Sequence, residues 1–120
     1  MSLVLIVDDS PTEQHVMSRV LEKHGFETLL ASDGEEAIAI AEQNHPDLIL
    51  MDIVMPGMNG FQATRKLTRN PLTAEIPVVM STSKDQESDR AWGLRQGAVD
   101  YLTKPVDDKS LLAAVRARLG

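Results

Sequence analysis

The stretch Leu48-Ile49-Leu50-Met51-Asp52 decides the fold, because an apolar run ends abruptly in an acid. A short apolar run bounded by turn residues is typical of a strand buried on both faces of a parallel sheet. The turn-forming segment Met55-Pro56-Gly57-Met58-Asn59-Gly60 follows closely. A charge at the end of a buried strand costs free energy unless it is compensated, so we expect Asp52 to have a chemical role.

Three other apolar runs also end in polar side chains. If each run is a strand, the polar endings share the carboxyl edge of one sheet and form a site there. The endings are Asp8 and Asp9 after residues 3–7, Thr82 after residues 78–81, and Lys104 after residues 101–103.

Apolar runs alternate with stretches of helical periodicity along the chain. Such strict alternation requires right-handed crossovers, which give a parallel sheet with helices on both faces. We therefore predict an α/β fold of (βα)5 type, a doubly wound parallel sheet in a three-layer α/β/α arrangement. The predicted strands span 3–7, 28–31, 48–52, 77–81 and 99–103, and the predicted helices 11–24, 34–44, 60–69, 85–96 and 107–119.

Local signals mark the helix boundaries. Ser10-Pro11-Thr12-Glu13 predicts a capping box with proline at the first helical position, and Ser32 with Glu35 predicts a second box. Gly25 stands where a left-handed residue ends a helix. The predicted buried stripes are Val16, Met17, Val20 and Leu21 on the first helix and Leu111, Leu112, Val115 and Leu119 on the last.

Composition limits the classes of function. We expect one domain over residues 1–120 with no output domain. A net charge of −6 and 3% aromatic residues argue against nucleic-acid binding, and no apolar run approaches the roughly 18 residues of a membrane span. The absence of cysteine excludes disulfides and thiolate metal sites and suits a reducing, cytoplasmic location. Proteins are the expected partners.

The predicted acidic cluster indicates a metal site. With an effective dielectric constant near 20, two carboxylates about 4 Å apart repel by roughly 4 kcal/mol. Lys104 offsets one of the three negative charges of Asp8, Asp9 and Asp52. The negative charge that stays uncompensated favours the binding of a divalent cation. Oxygen ligands without cysteine or clustered histidine favour Mg²⁺, Mn²⁺ or Ca²⁺ over zinc. The hypothesis is a metal on Asp9 and Asp52, with Asp8 acting partly through water.

A carboxylate beside such a metal and a lysine is suited to attack phosphorus and form an aspartyl phosphate. Asp52 would be the nucleophile. Lys104 and the metal would neutralise the phosphoryl oxygens, and Thr82 could donate a hydrogen bond to one of them. The new dianion would supply the differential contact that a two-state switch requires.

These residues resemble the receiver domain of two-component response regulators. The resemblance spans the whole chain and rests on Asp8-Asp9-Ser10, on Asp52 with the segment 55–60, on Thr82, and on Lys104-Pro105. It implies a flavodoxin-like fold with strand order 2-1-3-4-5 and phosphorylation of Asp52 by a histidine kinase. It further implies Mg²⁺ on Asp9, Asp52 and the backbone carbonyl of Val54, and a cis bond before Pro105.

Four segments are most similar to the stand-alone PilH-type receivers of twitching motility. That likeness implies a CheA-like histidine kinase as phosphodonor and a protein target in type IV pilus control. Val54 and Lys84 flank the path of water to the phosphate, and Ser83 replaces a commoner small apolar residue, so the lifetime of the phosphorylated state stays open. The segments are Val7-Asp8-Asp9-Ser10-Pro11-Thr12-Glu13, Asp52-Ile53-Val54-Met55-Pro56-Gly57, Asn59-Gly60-Phe61-Gln62-Ala63-Thr64-Arg65 and Lys84-Asp85-Gln86-Glu87.

Tyr101 and Trp92 are the candidate reporters of the switch. In the family, the aromatic residue at the position of Tyr101 moves between exposed and buried rotamers as the switch hydroxyl shifts. The surface of the fourth helix, fifth strand and fifth helix would then bind the target, although half-buried packing explains Trp92 equally well. His15, His24 and His45 lack ligand spacing and are expected at the surface.

Several alternatives remain open. The chain could be a phosphate sink that drains a kinase shared with another receiver, and it could be a monomer or a weak dimer. A Mg²⁺-dependent phosphatase of the haloacid dehalogenase type also forms an aspartyl phosphate, but it needs a second Asp where Val54 stands. A flavodoxin-like cofactor binder would need hydroxyls and glycines in the first turn, which here carries acids. The preferred function is a phosphoacceptor switch that catalyses only its own phosphorylation and dephosphorylation.

Overall fold

The computed structural model describes residues 2–83 and 86–119. Five strands alternate with five helices, as predicted. Apart from the start of the fourth helix, each boundary lies within one residue of its predicted position; Asp85, the predicted start, lies outside the described residues. The elements are β1 (Leu3–Val7), α1 (Pro11–Lys23), β2 (Glu27–Ala31), α2 (Gly34–Asn44), β3 (Leu48–Met51), α3 (Gly60–Arg69), β4 (Val78–Thr82), α4 (Glu87–Arg95), β5 (Asp100–Thr103) and α5 (Asp108–Leu119).

All strand pairs are parallel, and the sheet order is β2-β1-β3-β4-β5. This order confirms the flavodoxin-like topology. The chain leaves β1 toward one edge and returns to β3 on the other side, so the strand order reverses between β1 and β3. The register pairs Val7 with Met51, which places the next residues, Asp8 and Asp52, side by side at that reversal. Ligands bind at such a point in open α/β sheets.

The central strand β3 is buried on both faces, as its unbroken apolar sequence predicts. Its four residues are fully buried, and a core cluster packs on each side of the sheet. Burial of each such side chain stabilises the fold by about 1.5–3 kcal/mol. The strand that leads directly into Asp52 is therefore held rigidly from both layers.

The ends of α1 follow the sequence signals. The Ser10 hydroxyl accepts a hydrogen bond from the Glu13 N–H at 3.3 Å, and Pro11 is the first helical residue. Gly25 has φ +91°, and the Phe26 N–H donates to the Leu21 carbonyl. This left-handed ending confirms the predicted role of Gly25.

The predicted capping box of α2 is wrong by one residue. Asp33, rather than Ser32, is the N-cap, and its carboxylate accepts from the Glu36 N–H at 2.8 Å. The Glu36 carboxylate in turn accepts from the Ser32 N–H at 2.7 Å. Gly34 begins the helix, so the partner three residues after the cap is Glu36 and not Glu35.

The predicted buried stripe of α1 is also partly wrong. Val16 is 52% exposed, whereas the buried face consists of Gln14, Met17, Ser18 and Leu21. Two polar side chains can occupy this face because each finds a partner on the sheet side. The Ser18 hydroxyl hydrogen-bonds the Thr28 hydroxyl at 2.8 Å. On α5, Leu111, Leu112 and Val115 are buried as predicted and Leu119 partly so.

Across residues 2–83 and 86–119, no helix combines the length and apolar character needed to cross a membrane.

Candidate functional site

The three predicted acids meet at the carboxyl edge of the sheet. Oxygen atoms of Asp8, Asp9 and Asp52 lie within 4.8 Å of one another. Asp8 is 1% exposed and Asp52 is 7% exposed, whereas Asp9 is open to solvent. Two buried carboxylates and one exposed carboxylate therefore share one small volume.

Lys104 lies between the two buried acids. Its Nζ is 2.5 Å from Asp8 Oδ2 and 3.5 Å from Asp52 Oδ2. The position follows from β5, because Thr103 pairs with Thr82 and the Lys104 N–H donates to the Thr82 carbonyl at 2.7 Å. The Lys104–Pro105 peptide bond is cis, as the family resemblance implies.

Thr82 ends β4 and is completely buried beside Asp52. Its hydroxyl acts on the Asp52 carboxyl group and helps to lower the pKa of that group. The Ile53 N–H donates a hydrogen bond to Asp52 Oδ1 at 2.8 Å. The Asp52 side chain is thus held by a backbone donor, with a hydroxyl from the neighbouring strand beside it.

The pKa of Asp52 is raised above its usual value. Burial is the main cause and the negative charge of Asp8 adds to it, although Lys104, the Ile53 N–H and Thr82 all act to lower it. The pKa of Lys104 is also raised. Burial alone would lower it, but the hydrogen bond to Asp8 and the charge of Asp52 outweigh that effect. The cluster therefore still favours additional positive charge.

Asp8 is fixed by contacts that the sequence analysis missed. Its Oδ1 accepts from the Ser10 N–H at 2.9 Å. The buried Gln14 amide donates to the Asp8 carbonyl at 2.6 Å and to the Ala31 carbonyl at 3.0 Å, which ties α1 to the ends of two strands. The sequence contains a pattern that predicts the burial of Gln14, because positions 14, 17, 18 and 21 have the spacing of one helical face.

Gly60 allows α3 to approach the site closely. Its N–H donates to the Ile53 carbonyl at 2.8 Å. A Cβ atom at this position would lie 2.0 Å from the carbonyl oxygen of Asp52. The sequence analysis had noted Gly60 only as a turn residue; in the structure, glycine is needed because backbone packs against backbone.

Val54 lies in the loop that follows Asp52, and its side chain is exposed. Ser83, directly after Thr82, is exposed as well. Lys84, the second residue predicted to flank the path of water, lies outside the described residues. Val54 and Ser83 thus follow two different strands, β3 and β4, at the edge of the sheet that carries the acidic cluster.

The two predicted reporter aromatics differ in burial. Tyr101 is buried in β5, whereas Trp92 on α4 is 46% exposed. Arg90, which the sequence analysis did not identify, lies over the Tyr101 ring with its guanidinium carbon 5.0 Å from the centroid. Its Nη2 also donates to the Thr103 hydroxyl at 2.9 Å. The three histidines, His15, His24 and His45, are exposed as predicted.

Comparison with known proteins yields a family and close relatives. The sequence model named response regulator receiver domain matches residues 4–116. The chain is 57% identical over 119 residues to Protein PilH of Pseudomonas aeruginosa, covering 99% of this chain and 98% of that protein. It is 45% identical over 114 residues to Response regulator PleD of Caulobacter vibrioides, covering 95% of this chain but 25% of PleD.

Solved structures give the same result. The chemotaxis protein CheY4 of Vibrio cholerae has a TM-score of 0.93 at 31% identity, with 98% of each chain covered. A CheY-like receiver domain protein of Methanospirillum hungatei has a TM-score of 0.92 at 28% identity, with 99% of this chain and 94% of that chain covered. With its CheY-like fold and its similarity to PilH, the chain belongs to the response regulator receiver domain family.

Proposed function

We propose that this chain acts as a single-domain response regulator in a phosphorelay. Asp52 accepts a phosphoryl group from a histidine kinase, with Mg²⁺ as the metal that the acidic cluster would hold, and the α4-β5-α5 surface changes so that it controls a protein partner. The observation that carries the proposal is the cluster of Asp8, Asp9 and Asp52 around one lysine at the strand-order reversal.

The contacts of Asp52 support its role as the phosphoacceptor. Its carboxylate is fixed by the Ile53 N–H and lies 3.5 Å from Lys104 Nζ. In the transfer, a carboxylate oxygen of Asp52 bonds to phosphorus while the phosphorus–nitrogen bond of the donor phosphohistidine breaks. The imidazole nitrogen keeps the electron pair of the broken bond. Lys104 then stabilises negative charge on the phosphoryl oxygens.

The donor set supports a hard divalent cation. Three carboxylates contribute a charge of −3 and Lys104 contributes +1, and every candidate ligand atom is oxygen. Asp8, Asp9, Asp52 and the backbone carbonyl of Val54 would hold Mg²⁺, with Mn²⁺ able to substitute. The bound ion supplies positive charge that offsets repulsion between the acids and the incoming phosphoryl group.

Thr82 and Tyr101 would transmit the change. The Thr82 hydroxyl lies beside Asp52 and acts on its carboxyl group, so it would donate a hydrogen bond to an oxygen of a new phosphoryl group there. Thr82 pairs with Thr103, two residues beyond Tyr101 on the adjacent strand. A shift of Thr82 toward the phosphoryl group opens space next to β5 and favours a different Tyr101 rotamer. Trp92 would form part of the α4-β5-α5 partner surface.

Similarity to PilH supports a place in type IV pilus or twitching motility. On this proposal a CheA-like kinase is the phosphodonor, a downstream protein is the target, and the chain works in the cytoplasm without nucleic acid or membrane insertion. It acts as a monomer or weak dimer, and residues 1–120 form one receiver domain. It is a switch whose only catalysis concerns its own phosphorylation and dephosphorylation.

The test is a phosphotransfer profile against purified histidine kinases of the source organism. The parent protein should take label from one kinase rapidly in Mg²⁺ and not in EDTA, and Asp52→Asn should take none. Asp108→Asn removes an exposed carboxylate from α5 and serves as the matched control. Labelling of Asp52→Asn would refute the proposal. If the labelled protein binds no target but drains the kinase of a second receiver, it is a phosphate sink.

A further inference from the structure

The outer face of α3 is positively charged on a negatively charged protein. Arg65, Lys66 and Arg69 fall within five consecutive positions, and the helix sequence GFQATRKLTR contains no acid. They are three of the twelve Lys and Arg residues in a chain of net charge −6. All three are exposed. This concentration of positive charge lies outside the acidic site and outside the α4-β5-α5 surface.

A groove of about 740 Å³ runs along this face. Positions 62, 65, 66 and 69 have i, i+3, i+4 and i+7 spacing and therefore share one side of the helix. Met58 adds an apolar, adaptable side chain at the end nearest the Asp52 loop. The lining includes Met58, Gln62, Arg65, Lys66, Arg69 and Asn70.

The three cations of the groove are not neutralised within the described part of the chain. The ion pairs found there all involve Lys104. Glu42, from the neighbouring helix α2, binds the Asn70 amide at 2.7 Å instead of a cation. Like charges one helical turn apart destabilise a helix slightly, and an anionic partner would remove that repulsion.

We propose that this groove binds an acidic segment of a partner protein. The segment would carry carboxylates one helical turn apart, to pair with Arg65, Lys66 and Arg69, and an apolar side chain to cover Met58. Arg65 and Arg69 favour a partner with carboxylates, because a guanidinium group binds a carboxylate through two parallel hydrogen bonds. The proposal depends on no step of the phosphotransfer.

An acidic protein segment fits better than a nucleic acid. The surrounding chain is net negative and contains 3% aromatic residues, so a long phosphate polymer would meet repulsion beyond the groove and few stacking surfaces. A short peptide covers only the positive face. The apolar contribution of Met58 also suits a side chain rather than a phosphate backbone.

The test uses a synthetic helical peptide with glutamates one turn apart and one leucine, titrated into the ¹⁵N-labelled protein. Amide shifts should concentrate in residues 57–70 and weaken with added salt. A variant carrying Arg65→Gln, Lys66→Gln and Arg69→Gln should bind about tenfold more weakly. The control variant, with Arg95→Gln, Lys109→Gln and Arg116→Gln, loses the same charge from exposed positions on α4 and α5 and should bind like the parent.

Several outcomes would overturn the proposal. One is equal binding by both triple variants, or shifts centred elsewhere. Another is tighter binding of single-stranded oligothymidine or of vesicles containing anionic lipid than of the peptide. A concentration-dependent dimer that disappears in the α3 variant would identify a second copy as the occupant. Arg69→Gln alone should reduce the affinity for the peptide by a smaller factor. If neither this variant nor the α3 triple variant changes the affinity, the groove is not the binding site.

Discussion

The guanidinium group of Arg90 covers the ring of Tyr101, with 5.0 Å between its central carbon and the ring centroid. The same group donates to the Thr103 hydroxyl at 2.9 Å. Arg90 lies on α4 and the other two residues lie on β5, so one side chain connects the helix to the strand. This cation–π contact stabilises the buried rotamer of Tyr101 by about 0.5–1 kcal/mol, the usual size of such a contact when the cation is exposed.

Arg90→Gln is therefore expected to loosen Tyr101. Because Tyr101 is the only tyrosine in the chain, fluorotyrosine labelling gives a single ¹⁹F signal. That signal should broaden or split as a second, more exposed rotamer becomes populated. Arg95→Gln, an exposed position on the same helix, should leave it unchanged. An identical spectrum for Arg90→Gln and the parent would contradict the role of the contact.

Asp52→Asn is expected to stabilise the fold at neutral pH in Mg²⁺-free buffer. Burial raises the pKa of Asp52, so the folded protein holds this proton more tightly than the unfolded chain. Ionisation of Asp52 therefore lowers the free energy of unfolding as pH rises through the folded-state pKa. Asparagine carries no charge at any pH, so its advantage should appear above that pKa and vanish below the pKa of an unfolded aspartate.

Urea unfolding of Asp52→Asn and the parent between pH 3.5 and about 7.5 measures this difference. Asp108→Asn controls for the loss of one negative charge at an exposed position. A lower stability of Asp52→Asn at pH 7 would mean that the attraction between Asp52 and Lys104 stabilises the fold by more than the burial of the Asp52 charge destabilises it. If Mg²⁺ binds the folded acids as proposed, a millimolar concentration of it should stabilise the parent more than Asp52→Asn.

Lys104→Met should destabilise the protein at neutral pH. The change leaves Asp8 buried without the cation whose Nζ lies 2.5 Å from its carboxylate. The expected loss in unfolding free energy is about 1–3 kcal/mol. Mg²⁺ should restore part of it, since the ion replaces the missing positive charge. Lys109→Met, at an exposed position of α5, should have little effect in the same urea titration.

Gly60→Ala should damage both the fold and the acidic site. The added Cβ would meet the Asp52 carbonyl oxygen at 2.0 Å, so the loop between β3 and α3 must move. We expect a loss of about 1–3 kcal/mol in stability and weaker phosphorylation of Asp52.

Gly93→Ala is the matched control for Gly60→Ala. Its Cβ would lie at an ordinary 3.5 Å from Met80 and Tyr101. The higher helix propensity of alanine should then leave stability unchanged or raise it by up to about 1 kcal/mol. Equal effects of the two substitutions in thermal unfolding would show that the close approach at Gly60 is tolerated.

The fold was predictable because apolar runs and helical periods do not overlap in this sequence. The run 48–51 identifies β3, and the strict alternation around it leaves few topologies. The convergence of Asp8, Asp52, Thr82 and Lys104 followed from their shared position after strand ends.

What the sequence analysis missed depends on partners that are distant along the chain. Gln14 is polar, yet it is buried because the backbone carbonyls of Asp8 and Ala31 accept its amide hydrogens. Arg90 and Tyr101 are brought together only when α4 packs on β5. Asp33, rather than Ser32, is the cap of α2. Both residue types are good N-caps, so the local sequence does not decide between them.

The side-chain hydrogen bond between Lys104 and Asp8 joins residues separated by 96 positions. A growing polypeptide therefore displays both interior carboxylates long before the ammonium group that compensates them has been synthesised. Until β5 has joined the sheet, a nascent chain that closed the first four strands would trap two acids without their counter-charge. Completion of the native state must await translation of the fifth strand, and early fragments of this receiver should stay open rather than settle into a partial sheet.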